Sequence, residues 1–470
     1  MRRKLCIFGL AASLLIAACG CGKTNPNDTQ KGGNSQMNET ETDSTGNAPD
    51  LSDSSGHFVP ENPDQMPTMD GDDDNTDTPD QTAEVPLWYS VMLNKSHTNL
   101  GNNKRLKAVI EKARAGEQIT IATIGGSITE GAGAKKYQEC YAYQFYDKFR
   151  QEYGKDDGSN VSFVNAGVGG TGSPFGYLRY ERDIVSRVED ADGLPDIVVI
   201  EFSVNDYQEP TKQHCYESMV KHILSQPNDP VVILLFAVFP GGFNLQNEIK
   251  PIGFRYQLMM VSIKDGPFTY VGDKATSHWT ESEFFYDQYH PTTLGHGVMA
   301  DCLIDTVKAA EQQATSKEDI DLTVKPVYGD DYLGLKTIYK TDYEEDIHMD
   351  FGSFTLDDTQ SYSNGPVGRV CGENFHHGTD SGNAPLTFET SCKNLLVSYR
   401  ATGDAGFGDA EVYVDGKLAK TLQGNTGSWG QSVQDVIFAD ETAAVHKVEI
   451  KMAAGNENKK FTITCIGYTP

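Results

Sequence analysis

Positive charge is scarce in this chain. Lys and Arg number 39 against 67 Asp and Glu, a formal net charge of −28 at pH 7. A surface that acidic repels phosphate backbones and anionic headgroups, which argues against nucleic acid and anionic lipid as partners. Long apolar runs are lacking too: the run Leu5–Ala18 is short for a bilayer span. Cysteine is sparse, and Cys140, Cys215, Cys302, Cys371, Cys392 and Cys465 show no CxxC-type spacing. Cys371 and Cys392 could pair with each other, but spacing alone fixes no connectivity. None of these thiols stands in a motif with a base, so none is a candidate nucleophile. A clear internal repeat is also missing.

What is there begins with a targeting element. Arg2, Arg3 and Lys4 form a positive n-region, Leu5–Ala18 an apolar h-region, and Ile16-Ala17-Ala18-Cys19 a small-residue cleavage site. This resembles a bacterial lipobox, with Cys19 as the lipidated first residue of the mature protein; Cys21 is the weaker alternative. Residues 1–18 are then a signal peptide. Residues 19–85 are rich in Asn, Asp, Thr, Ser, Gly and Pro and nearly devoid of apolar side chains, so they read as a disordered acidic tether. Asp70-Gly71-Asp72-Asp73-Asp74 lacks the glycine and the closing Glu of a calcium loop and reads as solvated spacer. The expected location is extracytoplasmic, anchored to the membrane by lipid.

At 470 residues the chain is long enough for two domains. Residues 86–315 alternate strand and helix patterns. Strands are expected at Ile119–Ile124, Ser162–Gly167, Pro195–Phe202 and Pro230–Ala237, with a weaker fifth at Phe268–Val271. Helices are expected at Asn102–Ala115, Tyr137–Tyr153, Phe175–Val188, His214–Leu224 and Thr293–Ala310. This order predicts an α/β fold: a doubly wound, parallel, five-stranded sheet in three layers, flavodoxin-like. Residues 316–470 change character. Short alternating segments (Leu386–Glu389, Leu395–Tyr399, Ala410–Val414, Lys447–Lys451, Phe461–Thr464) predict a linker and an all-β sandwich of jelly-roll type. Asp415-Gly416 after Val412-Tyr413-Val414 marks a hairpin.

Four stretches carry chemistry. Gly125-Gly126-Ser127-Ile128-Thr129 ends a buried strand in a tight turn that displays a hydroxyl. Asn165–Thr171 ends the next strand in glycines. Glu201-Phe202-Ser203-Val204-Asn205-Asp206 ends the third. Asp287-Gln288-Tyr289-His290-Pro291 precedes the last helix. A serine needs a base to become a nucleophile, and His290 is the candidate. The imidazole needs an acceptor to fix its tautomer, and Asp287 stands three residues earlier. An oxyanion needs preorganised donors, which the Ser127 amide, the Gly170 amide and the Asn205 side chain would supply. Alone, each stretch is an ordinary turn; together they are a catalytic set. Gly167–Gly170 lacks the GxGxxG spacing of a dinucleotide loop, and no cofactor is expected. His296 reads as a packing residue, and His214, His222 and His278 have no partner pattern. Adjacent His376 and His377 would point to opposite faces of a strand, so no metal site is expected.

The order and strand context of these blocks resemble the SGNH, or GDSL-type, hydrolases over about residues 102–310. The letters name Ser127, Gly170, Asn205 and His290. The third block departs from the family in carrying Ser203 where Gly is usual. The resemblance implies a carboxylic ester hydrolase. Residues 120–133, 164–179 and 201–206 look most like the subgroup whose members deacetylate plant polysaccharides or act as general acylhydrolases. The implied function is a surface-anchored esterase removing O-acetyl groups from a glycan such as xylan or mannan. Three alternatives stand beside it: O-acetylated peptidoglycan as the substrate, a lipid or thioester acylhydrolase, and a non-catalytic glycan-binding lipoprotein. A jelly roll on a secreted hydrolase also resembles a carbohydrate-binding module. Trp429, in the loop-like Gly427-Ser428-Trp429-Gly430, is its candidate glycan contact; Phe407 is a further aromatic, and Tyr399 and Tyr413 are expected in the core.

Overall fold

The structure is a computed structural model describing residues 85–189, 193–360, 364–365, 368–369, 372–427 and 429–470. The expected signal peptide, Cys19, the tether up to residue 84 and Cys371 lie outside the described residues.

Strands β1 (His97–Asn99), β2 (Ile119–Gly125), β3 (Val161–Gly167), β4 (Ile197–Glu201), β5 (Val231–Phe236) and β6 (Met259–Ser262) form one sheet in the order β1-β6-β5-β4-β2-β3. The five from β2 to β6 run parallel, and β1 joins β6 antiparallel at the edge. The expected five-stranded parallel sheet is present, then, with a sixth strand added. Its fifth parallel member is Met259–Ser262 and not Phe268–Val271. That second segment follows Pro267, which has no N–H for a ladder, and most of it winds into a 3-10 turn over Pro267–Tyr270.

Both faces of the sheet are apolar. Ile121, Val199 and Ile233 face one layer, while Ala122, Val198 and Val232 face the other. This period of two, apolar on both sides, is what a buried parallel sheet requires. The helices are α1 (Leu87–Ser96), α2 (Lys104–Ala115), α3 (Ser127–Glu130), α4 (Tyr141–Tyr153), α5 (Ser173–Leu178), α6 (Tyr180–Asp183), α7 (His214–Leu224), α8 (Gln246–Arg255), α9 (Glu281–Phe284) and α10 (Thr293–Gln312). Residues of α1, α2, α4 and α10 pack on the first face, and residues of α5 to α8 on the second. The helix expected over Phe175–Val188 is broken at Arg179 and again at Ile184, after which Val185–Arg187 form a 3-10 turn. Arg179 is fully buried and turns its guanidinium back to the Gly125 carbonyl, 3.3 Å away. The helix expected from Tyr137 begins as a 3-10 turn and becomes α-helical only at Tyr141.

The rest of the chain is antiparallel β. It holds β7 (Lys336–Ile338), β8 (Met349–Asp350), β9 (Asn364–Gly365), β10 (Gly368–Arg369), β11 (Phe375–His377), β12 (Leu386–Thr402), β13 (Ala410–Val414), β14 (Lys417–Leu422), β15 (Trp429–Met452) and β16 (Phe461–Thr469). Register shifts near Cys392 and Leu395 divide β12. Its first half pairs with β8 and the end of β15; its second half pairs with β16 and the start of β15. Phe388, Val412 and Ile450 from one part and Val397, Tyr399 and Ile463 from the other share one apolar core. The Asp415-Gly416 turn has positive φ at both residues, as a tight hairpin needs.

The β domain is fastened to the α/β domain rather than hung from it. Glu217 of α7 is fully buried, and its carboxylate accepts from the backbone N–H groups of Val327, Tyr328 and Gly329 and from Tyr256 Oη. Leu396 of β12 joins the core of α5 to α8. Val168, Phe175 and Leu178 form a small apolar cluster with Tyr339 and Cys465. The Leu178 carbonyl accepts from both Thr337 Oγ1 and Tyr339 Oη, each at 2.7 Å.

Candidate active site

Ser127 opens α3 immediately beyond β2. Gly126 is a residue whose lack of a side chain matters: a Cβ there would collide with the Asn205 side-chain amide. That close approach brings the end of β4 against the turn carrying Ser127. Gly169, from the turn after β3, lies beside it: a Cβ on it would be in ordinary contact with Ser127 Cβ, at 3.6 Å. The Glu130 carboxylate accepts the Gly169 N–H at 2.9 Å and so ties that turn to α3. Gly170 then adopts φ +67°, which only glycine takes without strain.

His290 and Asp287 share a tight loop closed by pairing of Phe285 with Pro291 and by the Tyr286 N–H to His290 carbonyl bond at 2.8 Å. Asp287 Oδ1 accepts from the Tyr289 and His290 backbone N–H groups at 2.7 and 2.8 Å. Asp287 Oδ2 lies 2.8 Å from His290 Nδ1, and His290 Nε2 lies 3.0 Å from Ser127 Oγ. With the carboxylate facing Nδ1, that nitrogen carries the proton and Nε2 offers its lone pair to the serine hydroxyl. Partial burial would raise the Asp287 pKa. The hydrogen bond and charge of His290, with the two amides, outweigh it and hold the carboxyl below its usual value.

The Ser127, Gly170 and Asn205 donors come from three different loops. Among the described residues no hydrogen bond engages the Ser127 N–H, the Gly170 N–H or the Asn205 side-chain amide. Unspent donors beside a nucleophile are what a developing oxyanion needs. Ser203, the departure from the family pattern, uses its hydroxyl: Oγ donates to the Ala237 carbonyl at 3.1 Å, joining the loops after β4 and β5.

Sequence reasoning missed the polar groups beneath the site. Glu201 is fully buried at the end of β4, with Thr129 Oγ1 donating to Oε2 at 3.2 Å and Tyr141 Oη 2.7 Å from Thr129 Oγ1. Burial pushes its carboxyl up to about 8. Asp206 takes the Ser173 N–H at 2.7 Å, and burial likewise pushes it up to about 8. The one signal available was an acid at each end of the apolar-to-polar third block.

The other histidines have structural partners. His296 is fully buried, accepts the Tyr141 N–H at Nδ1 and faces the Ala132 carbonyl with Nε2; burial lowers it to about 4. His214 and His222 meet Asp331 and Glu181, and His278 stacks on Trp88. Among the described residues no group of His, Cys, Asp and Glu is arranged to hold a metal. Cys392 is a free, buried thiol. Trp429 begins strand β15 instead of lying in a loop, and its side chain lies outside the described residues. Phe407 and Tyr399 are buried and cannot stack on a sugar, and Tyr413 is half-buried under Lys451. Among the described residues no helix is long and apolar enough to cross a membrane.

Comparison with known proteins agrees with this geometry. Residues 123–298 match the GDSL-like Lipase/Acylhydrolase family. The chain is similar to a two-domain esterase (CEX) active on acetylated mannans, with 26% identity and a TM-score of 0.68 over 80% of this chain and 99% of that one. The same esterase co-crystallised with mannopentaose gives 26% identity and a TM-score of 0.67, over 80% and 98%. A search of curated proteins gives no match.

Glu201 and Asp206 give the fold a pH dependence. Each binds a proton up to about 8 in the folded state but only up to its ordinary acidic pKa when unfolded. Between those limits the folded state holds more protons, so stability falls as pH rises and is fullest below the unfolded pKa. Denaturation midpoints across that window should decline, and Glu201→Gln and Asp206→Asn should each flatten the decline. A midpoint independent of pH in the native chain would show these acids to be ionised in the fold. By the match over residues 123–298 and the two-domain likeness, the chain carries a GDSL-like lipase/acylhydrolase domain and is a carboxylic ester hydrolase.

Proposed function

We propose that this protein removes O-acetyl groups from a plant polysaccharide, with acetylated mannan as the substrate. The observation that carries the reading is the unbroken chain Ser127 Oγ, His290 Nε2, His290 Nδ1, Asp287 Oδ2, at 3.0 and 2.8 Å. Likeness to the mannan-active esterase across both domains favours mannan over xylan. In the proposed mechanism Ser127 Oγ gives its proton to His290 Nε2 and attacks the acetyl carbonyl. The oxyanion is held by the Ser127 and Gly170 N–H groups and the Asn205 amide. As the C–O bond to the sugar breaks, His290 returns its proton to the departing sugar oxygen. Water then loses a proton to His290 and attacks the acetyl-serine; acetate leaves and Ser127 recovers its proton. Asp287 keeps the imidazole in the tautomer that can accept, and stabilises it once charged.

Anchoring through a lipid on Cys19 completes the proposal, and it rests on the sequence of the leader alone. Cells fed a labelled fatty acid should label the native protein and not a Cys19→Ala variant; label retained in the variant would refute Cys19 as the lipidated residue.

Acetate release from acetylated mannan, acetylated xylan and O-acetylated peptidoglycan tests the enzymatic reading. Ser127→Ala should abolish release, and Asp287→Asn should lower kcat by about 10⁴-fold while the fold is kept. Release from peptidoglycan alone would move the role to the cell wall. Unchanged release by Ser127→Ala would remove it as nucleophile.

A further inference from the structure

An aromatic series leads away from the catalytic histidine. The Tyr289 ring centre lies 6.1 Å from that of His290, Phe239 5.3 Å from Tyr289, Phe243 6.1 Å from Phe239, and Tyr207 6.0 Å from Phe243. Phe239 is buried, Phe243 is half-buried, and Tyr207 at the far end is 45% exposed. Tyr289, beside the site, is half-buried as well, so the series dips into the core at Phe239 and returns to the surface at Tyr207. Tyr207 stands two residues beyond Asn205, and Phe239 and Phe243 belong to the loop after β5, so the series lies along the sheet edge that carries the site. An exposed aromatic beside a catalytic centre marks a binding surface for an apolar or flat partner.

The segment holding Tyr207 is rigid at a conformational cost. Gln208, Lys212 and Gln213 all have positive φ, at 54°, 52° and 68°. None is glycine, and residues held this way persist only where the surroundings fix them. The Glu209 carboxylate does so, taking the Thr211 N–H, the Thr211 hydroxyl and the Gln213 N–H. Phe243 meets Tyr207 edge-to-face, with the rings 77° apart. Gln208 Nε2 donates to the Tyr207 hydroxyl at 3.3 Å. The ring is therefore set in place before any ligand arrives, which reduces the ordering cost of binding.

We infer that Tyr207, braced by Phe243, is a stacking platform for a neutral pyranose ring of the glycan chain next to the acetylated sugar. A pyranose presents a face of C–H bonds that packs on the negative face of an aromatic ring. Tyr207 follows Asn205 by two residues, so the platform belongs to the same loop as that proposed oxyanion donor. The inference deepens the polysaccharide reading and rests on it.

The test compares an acetylated manno-oligosaccharide with methyl acetate, which has no ring to stack, in the native protein and in Tyr207→Ala and Tyr207→Phe. Losing one stacking contact should raise KM for the oligosaccharide about tenfold. Its kcat, and both constants for methyl acetate, should stay within about twofold. Tyr207→Phe should restore the native KM, which a role through the hydroxyl would not allow. An unchanged oligosaccharide KM in Tyr207→Ala would overturn the inference and leave the esterase reading intact. Equal losses on both substrates would make Tyr207 a support for the loop and overturn it as well. If the native protein cleaved methyl acetate but no acetylated glycan, the polysaccharide reading itself would fall, and the sugar platform with it.

Discussion

Parallel pairing of β2 with both β3 and β4 in one register is the constraint on which the site depends. Gly125 pairs with Gly167 on one side and with Glu201 on the other, so three strands end at one level. The turns that follow them carry Ser127, Gly170 and Asn205, and a slip in either pairing would scatter those groups. Long apolar, β-branched runs set that register from both faces of the sheet. Chemistry at the carboxyl ends of parallel strands follows from the topology.

The polar groups behind the site do different work from those in it. Arg179, buried and paired with Asp183, donates to the carbonyl of Gly125, two residues before the nucleophile. Glu130 pins the Gly169 amide. The second domain reinforces the same region. Val168 leads into the turn of Gly169 and Gly170, and it packs in one cluster with Phe175, Leu178, Tyr339 and Cys465. Tyr339 and Cys465 come from beyond residue 315, so the β domain supports the back of the turn that holds Gly170. A buried ion pair is expensive to desolvate, and its presence under a catalytic turn fits a role in fixing one geometry.

The hydrogen-bonded set of Ser127, His290 and Asp287 was legible because its signals are local. A β-branched run ending in Gly-Gly-Ser, and an Asp three residues before a His, each need only a few neighbouring residues to be read. The sheet's β6 and β1 were not legible, since four and three residues carry too little pattern. The long strands β12 and β15 read as separate short ones, because register shifts at Cys392 and Leu395 interrupt the alternation. Arg179, Glu201 and Glu217 were not legible for a physical reason: charged side chains are rarely fully buried, and the Gly125 carbonyl, Thr129 and the 327–329 amides they bond lie far away in sequence. Tyr207 could not be told from a core aromatic until its exposure was known.

The most direct measurement is rapid-quench mass spectrometry during turnover of acetylated manno-oligosaccharide. The account predicts one acetyl group on the peptide containing Ser127, appearing before acetate accumulates and lost again on longer reaction. An acetyl group on another residue would contradict it. So would acetate release without any acetylated protein under conditions where deacylation has been slowed.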